Sequence, residues 1–186
     1  LSPAPFKVNV DLEKLEELLK GPESDKIPFV LMTITNNTGG GQPVSMDNLK
    51  KVKELCTKYN KMFLLDACRF AENAWFVSQR EDEYKDVEIR EIAKEAFRLA
   101  DGCTISLKKD GFGNIGGVLA FNDDAMAEDA KNLLILTEGF PTYGGLAGRD
   151  LDALAQGLKE ITDKNYLEYR ARSISYLAEK ALSYDI

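Results

Sequence analysis

Short apolar runs alternate along the chain with longer stretches in which apolar residues recur at helical spacing. The runs at residues 28–35 and 62–65 are continuous and rich in strand-forming residues, which is typical of strands buried on both faces of a sheet. Between them, Ser45 is placed to cap a helix with one apolar stripe. A strand, a helix and a second strand in this order predict a βαβ unit with a right-handed crossover.

The rest of the chain continues this alternation of strands and helices. The further predicted elements are a helix capped by Asp11, a short helix at 69–80, a helix capped by Asp86, strands at 102–106 and 118–121, and helices after Asp123, at 150–162 and at 164–182. The connection between the last two strands is too short for a parallel crossover, so we expect them to pair antiparallel. The pattern predicts an α/β fold with a mostly parallel sheet flanked by helices.

The composition excludes several classes of function for this chain. It contains no histidine, which rules out histidine-based triads and histidine-ligated metal sites. The formal net charge of -7, from 24 basic and 31 acidic residues, argues against nucleic acid as a partner. No apolar run approaches the roughly 20 residues that a membrane span requires, so no membrane partner is expected. Three cysteines without C-x-x-C spacing indicate reduced thiols and a cytoplasmic location.

Polar residues follow three of the predicted parallel strands. They are Asn36 and Asn37, then Asp66 with Arg69, and then the run at 106–109. In open α/β sheets ligands bind beyond the carboxyl ends of the strands. We therefore expect these three clusters to converge on one pocket.

Two of these clusters have both a structural and a chemical interpretation. Lys108 and Lys109 form either a solvated charged turn or part of a binding site, since a glycine-rich loop that allows close approach of a ligand follows them. A lysine in a pocket beside a second cation becomes a nucleophile towards carbonyl carbons. Asp66 either caps the next turn or pairs with a pyridinium nitrogen, which makes such a ring an electron sink. Arg69 either shares that site or forms an ion pair with Asp66.

A glycine run follows the first strand. The segment Asn37-Thr-Gly-Gly-Gly-Gln-Pro matches neither G-x-x-x-x-G-K-S/T nor G-x-G-x-x-G. It is either a phosphate-binding nest before a helix or a tight turn that presents Asn37 at the end of the strand. A further interpretation of the chain is an unrelated nucleotide-binding α/β module, and its only support is the glycine run Gly39–Gly41.

Four longer phrases occur in order along the chain. They are T-N-N-T-G-G-G-Q-P-V-S, D-A-C-R-F-A-E-N-A-W-F, S-L-K-K-D followed by N-I-G-G, and E-G-F-P-T-Y-G-G-L-A-G-R-D. In this combination, from about Phe6 to the C-terminus, the sequence resembles the tryptophanase and tyrosine phenol-lyase family of pyridoxal-phosphate-dependent β-eliminating lyases. The resemblance implies the large-domain core of the aspartate-aminotransferase-like fold, fold type I. Residues 1–148 would form the cofactor-binding core, and residues 149–186 a helical segment that leads toward an absent small domain.

The resemblance also implies roles for single residues around the cofactor. Lys109 matches the lysine that binds pyridoxal phosphate covalently and later moves the substrate α-proton. Lys108 matches its neighbour near the cofactor phosphate, and Ser106 matches a phosphate-binding hydroxyl. Asp66 matches the aspartate on the pyridine nitrogen.

Further matches lie at the edges of the implied site. Arg69 and Asn37 match residues near the phenolic oxygen of the cofactor ring, and Tyr143 matches a tyrosine near the active site at a subunit interface. Asn114 matches a residue whose backbone carbonyl helps to bind an activating K⁺ ion. The resemblance implies an amino acid as the small-molecule substrate and a homotetramer built from dimers.

The sequence departs from the family pattern in packing and in extent. Leu107 stands where a small residue is expected, and Gly111-Phe112-Gly113 is unusual before N-I-G-G, so local packing is expected to differ. The family's main phosphate-binding loop, stacking aromatic, general-acid tyrosine and carboxylate-binding arginine have no counterpart here. With the start at Leu1, this predicts a piece of a longer protein, inactive in isolation.

The phrases leave three functions open. R-F-A-E-N-A and E-G-F-P-T-Y favour tryptophanase, which converts L-tryptophan to indole, pyruvate and ammonia. N-I-G-G and L-A-G-R-D favour tyrosine phenol-lyase, which releases phenol from L-tyrosine. The third possibility is a non-catalytic fragment of such an enzyme.

Overall fold

A computed structural model describes residues 4–140 and 145–184 of the chain. In that part the chain forms seven α-helices and four β-strands, in the order that the sequence predicts. The strands are β1 (Phe29–Thr33), β2 (Met62–Asp66), β3 (Gly102–Ser106) and β4 (Gly117–Phe121). The helices are α1 (Leu12–Lys20), α2 (Met46–Lys58), α3 (Phe70–Arg80), α4 (Ile89–Leu99), α5 (Asp124–Glu138), α6 (Gly148–Glu160) and α7 (Lys164–Ser183).

The strands form one sheet in the order β1-β2-β3-β4. The pairs β1–β2 and β2–β3 are parallel, and β3–β4 is antiparallel, which confirms both predictions about strand direction. The register places Thr33, Asp66 and Thr104 side by side on the three parallel strands. The carboxyl ends of these strands therefore lie at the same edge of the sheet.

Four of the seven described helices begin with a side-chain cap, and α3, α4 and α6 do not. The side chains of Asp11 and Ser45 each accept a backbone N–H in the first turn of α1 and α2, as predicted, and the Asp123 side chain does the same for α5. The prediction that Asp86 caps α4 was wrong, because that helix begins later, with Glu88 at the capping position and without a side-chain cap. Within the described ranges, every helix is too short or too polar to cross a lipid bilayer.

The hydrophobic core lies on one side of the sheet. Met32 and Phe63 are buried there against α2, α3 and α4. On the opposite face Leu31 is 50% exposed and Leu119 is 55% exposed. The prediction that residues 28–35 are buried on both faces was therefore wrong, because the helices that form the core cover only one face of β1.

Candidate functional site

Backbone hydrogen bonds continue beyond the ends of the parallel strands. The Ile34 N–H donates to the Asp66 carbonyl at 2.9 Å, and the Arg69 N–H returns to the Ile34 carbonyl at 3.0 Å. On the other side of β2, the Ala67 N–H donates to the Thr104 carbonyl at 2.8 Å. These bonds hold the segments after β1 and β2 beside each other and join the segment after β2 to β3, so their side chains share one edge.

Arg69 and Asn37 meet at this edge. The guanidinium of Arg69 donates a hydrogen bond to the Asn37 side-chain oxygen. Among the described residues, Arg69 forms no ion pair with Asp66, so the structural interpretation of Arg69 as the partner of that carboxylate was wrong. Its guanidinium instead bridges the segments after β1 and β2.

The glycine run after β1 is a closed turn. The Gly39 N–H donates to the Asn36 side chain at 3.0 Å, and the Gly41 N–H donates to the Asn36 carbonyl at 2.8 Å. The Gly40 N–H donates to the Asn37 carbonyl at 2.9 Å, and Gly40 and Gly41 have φ values of 78° and 74°, which favour glycine. Because these amide hydrogens are already donated within the turn, the turn interpretation is favoured over a phosphate nest.

A cysteine that the sequence interpretation did not consider connects two of the predicted site residues. The Cys68 thiol donates to the Asp66 carboxylate at 2.8 Å, and Cys68 Sγ accepts the Ser106 backbone N–H at 3.1 Å. Burial raises the pKa of Cys68, and the hydrogen bond to Asp66 raises it further, whereas the charge of Lys109 lowers it. The thiol is therefore held as a neutral donor between Asp66 and Ser106, with Lys109 close enough to influence it.

The hydroxyl of Ser106 is buried and has no hydrogen-bond partner among the described residues. A buried hydroxyl without a partner costs free energy, so its presence calls for an acceptor. A phosphate oxygen is such an acceptor, and Asp66 offers carboxylate oxygens at the neighbouring strand end to a protonated ring nitrogen. These groups fit pyridoxal phosphate, which carries a phosphate and a pyridine ring.

The lysine pair is followed by an aspartate, Asp110, whose side chain is hydrogen-bonded to α3. Lys108 is exposed, Lys109 is half-buried and Asp110 is fully buried. The Asp110 carboxylate accepts the backbone N–H of Ala71 at 2.9 Å and of Glu72 at 3.3 Å, at the start of α3. Lys108 is therefore solvated, whereas the backbone next to Lys109 is tied to α3 through Asp110.

The unusual residues around the lysines pack together. Leu107 is buried, and a Cβ at Gly111 would lie 2.6 Å from the Leu107 carbonyl oxygen. A Cβ at Gly113 would lie 2.2 Å from a methyl group of Leu154 on α6. Gly111 therefore makes room for the backbone and Cβ of Leu107, and Gly113 makes room for Leu154.

We expect Gly157→Ala to destabilise the protein by about 1–3 kcal/mol, the range for overpacking a close contact. A Cβ at Gly157 on α6 would lie 2.3 Å from the Gly111 carbonyl oxygen, in the loop that follows the lysines. Gly148→Ala in the same helix is the matched control, because a Cβ there meets nothing within 4 Å. Urea unfolding of the two variants measures the difference; equal stabilities would contradict the close approach.

Glu72 is a half-buried acid beside this anchor. One carboxylate oxygen lies 3.3 Å from the guanidinium of Arg170 on α7. Burial raises the pKa of Glu72, and the charge of Arg170 opposes this shift. Glu72 therefore holds a proton more tightly in the folded than in the unfolded state.

This pKa shift predicts a pH-dependent stability. The stabilising effect is fully present below about pH 4.5, the ordinary pKa of the group, and is lost as the pH rises through the higher folded-state pKa. We expect Glu72→Gln to lose less stability than the wild type as the pH rises from about 4.5 to neutral. Urea unfolding of both proteins across this interval measures the difference, and parallel pH profiles would contradict it.

The predicted site residues do not all have contacts in this cluster. Direct contacts join Asn37 to Arg69, while Cys68 links Asp66 to Ser106. Lys108 and Asn114 are exposed and form no hydrogen bond or ion pair with the described residues. Tyr143 lies outside the described residues.

Comparison with known sequences shows similarity over almost the whole chain. A family model described as β-eliminating lyase matches residues 2–186. A tryptophanase from Hyphomonas neptunium is 61% identical over 176 residues, which cover 95% of this chain and 38% of the relative. A tyrosine phenol-lyase from Pasteurella multocida is 49% identical over 176 residues, with the same 95% and 38% coverage. The chain thus spans less than two fifths of the length of these relatives.

A solved structure supports the fold. A protein from Exiguobacterium sp. 255-15, provisionally assigned as an aromatic amino acid β-eliminating lyase/threonine aldolase, superposes with a TM-score of 0.56 at 21% identity. The match covers 81% of this chain and 37% of that protein. At this identity the likeness concerns the fold alone, and it confirms the predicted fold class.

Proposed function

Because the chain belongs to the β-eliminating lyase family, we propose that it forms the cofactor-holding part of an enzyme that uses pyridoxal phosphate to cleave aromatic amino acids. The proposed reaction converts L-tryptophan and water to indole, pyruvate and ammonia. The observation that carries the proposal is the contact chain from Asp66 through Cys68 to Ser106, to which the lysine turn is joined by the Asp110 N–H that donates to the Cys68 carbonyl at 3.3 Å. Tyrosine phenol-lyase is the second candidate; the 61% identity to a tryptophanase against 49% favours the first.

Pyridoxal phosphate, when bound, supplies an electron sink for the electron pair left at the substrate α-carbon. In the proposed mechanism the amine of Lys109 would hold the cofactor at its aldehyde carbon and would serve as the base that accepts the substrate α-proton. The carboxylate of Asp66 holds a proton at the ring nitrogen, because an anion beside a protonated nitrogen stabilises the charged form. The Ser106 hydroxyl donates to a phosphate oxygen, which would satisfy a buried group that has no partner among the described residues.

Arg69 and Asn37 act together in this proposal. Their hydrogen bond orients the guanidinium, which still has further N–H groups to donate. A fixed cation of this kind stabilises negative charge on the phenolic oxygen of the ring. Lys108, which is exposed next to Lys109, is proposed to attract the cofactor phosphate as a point charge.

Other parts of the proposal come from the family resemblance alone. Tyr143 is proposed to lie near the active site at a subunit interface of a homotetramer. Residues 1–148 are proposed as the cofactor-binding core and residues 149–186 as a segment leading toward a small domain. The substrate is proposed to be a free amino acid, a small molecule, and the protein is proposed to act in the cytoplasm.

Potassium should tighten cofactor binding more than sodium does if Asn114 keeps the role that the resemblance implies. A cage of oxygen ligands discriminates between cations by size and by the number of ligands, and Asn114 would contribute its backbone carbonyl. Titration of pyridoxal phosphate in KCl and in NaCl at equal ionic strength measures the difference. Identical affinities in the two salts would remove Asn114 from the site.

A segment exchange tests the proposed function. The 176 matched residues of this chain would replace the corresponding segment of the Hyphomonas neptunium tryptophanase. We expect the chimera to release indole and pyruvate in equal amounts from L-tryptophan, because this segment carries the proposed cofactor-binding residues. A folded chimera that binds no pyridoxal phosphate would contradict the proposal.

The same exchange into the Pasteurella multocida tyrosine phenol-lyase addresses the substrate. If this chain is a tryptophanase segment, it should reduce phenol release by the tyrosine phenol-lyase host more than it reduces indole release by the tryptophanase host. The reverse order would favour the tyrosine enzyme.

The isolated 186-residue chain is proposed to turn over negligibly, because near-attack geometry depends on anchors for the whole substrate. Pyruvate formation by the chain alone at an ordinary enzyme rate would contradict that.

A further inference from the structure

We propose that Asp110 is a positioning residue, which fixes Lys109 relative to Asp66 by anchoring the lysine turn on the start of α3, and that Arg170 on α7 locks this anchor. The inference rests on the proposed function, in which Lys109 binds the cofactor aldehyde and Asp66 its ring nitrogen. Neither Asp110 nor Arg170 would touch the cofactor. Both would act through the backbone that carries Lys109.

The first support is the connection between Asp110 and the segment after β2. Its carboxylate accepts the N–H groups of Ala71 at 2.9 Å and Glu72 at 3.3 Å, and its own N–H donates to the Cys68 carbonyl at 3.3 Å. Helix α3 has no side-chain cap of its own, since the capping position is Arg69. Asp110 therefore supplies the cap from a distant part of the chain, and an anion at a helix N-terminus is favourable.

The second support is the pairing of a fully buried charge. The side chain of Asp110 has 0% exposure, and its carboxylate lies 3.3 Å from the guanidinium of Arg170. The same guanidinium lies 3.3 Å from Glu72. Burial raises the pKa of Asp110, while the two backbone N–H groups and Arg170 lower it. A buried carboxylate that loses its partner is strongly destabilising, so Arg170 ties α7 to the lysine turn.

The third support is the closure of the turn itself. The Phe112 N–H donates to the Lys109 carbonyl at 3.2 Å, and the Gly113 N–H donates to the Leu107 carbonyl at 3.0 Å. Leu107 in turn donates its N–H to the Gly116 carbonyl at 3.1 Å. Because the backbone on both sides of Lys109 is held in this way, a displacement of Asp110 is transmitted to Lys109.

The test compares three variants with the wild-type chain. Asp110→Ala removes the anchor, whereas Asp110→Asn keeps a side-chain oxygen that can accept a helix N–H. Asp123→Ala is the matched control, because the Asp123 side chain caps α5 by accepting the Met126 N–H at 2.7 Å, outside the candidate site. Each protein is incubated with pyridoxal phosphate and then with borohydride, which converts the bond between the aldehyde and a lysine amine to a stable secondary amine. Peptide mass spectrometry then gives the labelling ratio of Lys109 to the exposed Lys7.

We expect Asp110→Ala to lower this ratio by about tenfold or more, the effect of losing a charge-assisted hydrogen bond. Asp110→Asn should restore part of the ratio, because it keeps an acceptor for the α3 N–H groups but loses the charge that pairs with Arg170, and Asp123→Ala should leave the ratio unchanged. A second readout needs no cofactor: hydrogen exchange of the Ala71 and Glu72 amides should accelerate in Asp110→Ala and not in Asp123→Ala. A role in stability alone would not change labelling of Lys109 selectively in a folded variant.

The outcomes separate this inference from the proposed function. Wild-type labelling that does not favour Lys109 over Lys7 would contradict the proposed function, while hydrogen exchange would still test the anchor. Selective labelling of Lys109 that persists unchanged in Asp110→Ala would overturn the positioning role. If Asp110→Ala does not fold, Arg170→Met provides the test, because it leaves the helix cap in place. An unchanged ratio in that variant would overturn the proposed lock.

Discussion

Lys109→Ala should abolish selective covalent attachment of pyridoxal phosphate to this chain. The amine of Lys109 is the nucleophile in the proposed mechanism, and the neighbouring Lys108 is exposed. Lys108→Ala should retain attachment at Lys109 and lower the affinity modestly, because a point charge near the phosphate would be lost. Lys7→Ala, at an exposed lysine outside the site, serves as the neutral control. Absorbance titration of the four proteins with the cofactor measures these differences.

Lys109→Ala should also lower the rate of elimination strongly. Transfer of the α-proton by a positioned side chain contributes about 10²- to 10⁴-fold, so the tryptophanase chimera with Lys109→Ala should lose at least that factor in kcat. Added small amines should restore part of the rate, because they can accept the proton in place of the missing side chain. Indole release that is unaffected by the substitution would assign the cofactor chemistry to another residue.

Asp66→Asn should weaken cofactor binding by about ten- to hundredfold, the effect of losing a charge-assisted hydrogen bond. The amide can still accept the hydrogen bond from Cys68, so the loop after β2 should keep its fold. Without the negative charge the ring nitrogen loses its proton more readily, and the electron sink is weaker. In the chimera, kcat should therefore fall together with the affinity.

The control for this prediction is Asp123→Asn, which removes an exposed carboxylate outside the site. Asparagine and aspartate are nearly equal as N-caps, so α5 should remain intact. Equal cofactor affinity and equal kcat in Asp66→Asn and Asp123→Asn would remove Asp66 from the ring nitrogen. A loss confined to Asp66→Asn supports the proposed pairing.

The arrangement of the sheet could be predicted from the sequence because its signals are local. Continuous apolar runs indicate the strands, and the short connection before β4 predicts its antiparallel direction. The burial of β1 could not be predicted, because an apolar run does not reveal which face the helices cover. Leu31 and Leu119 are apolar and yet exposed for that reason.

The candidate site likewise contains residues that local sequence signals predict and contacts that depend on distant parts of the chain. Asn37, Asp66 and Ser106 could be proposed because each lies at or beyond the end of a predicted parallel strand. Asp110 looked like part of a solvated turn, because nothing nearby in the sequence shows that it caps α3. Its ionic partner Arg170 is 60 residues away, so the pairing requires the fold.

The glycines after the lysines are a further example of a distant cause. A Cβ at Gly111 would meet Leu107, which is near in the sequence, whereas a Cβ at Gly113 would meet Leu154 on α6. The sequence alone marked Leu107 and the glycines as departures from a family pattern. The packing shows that Gly113 makes room for a residue on a distant helix, which nothing nearby in the sequence reveals.

A crystal structure of the chain with pyridoxal phosphate tests the central claim most directly. We predict a covalent bond between Lys109 and the cofactor aldehyde carbon, the carboxylate of Asp66 at the ring nitrogen, and the Ser106 hydroxyl at a phosphate oxygen. A cofactor bound at the opposite edge of the sheet, or linked to a different lysine with its ring nitrogen away from Asp66, would contradict it.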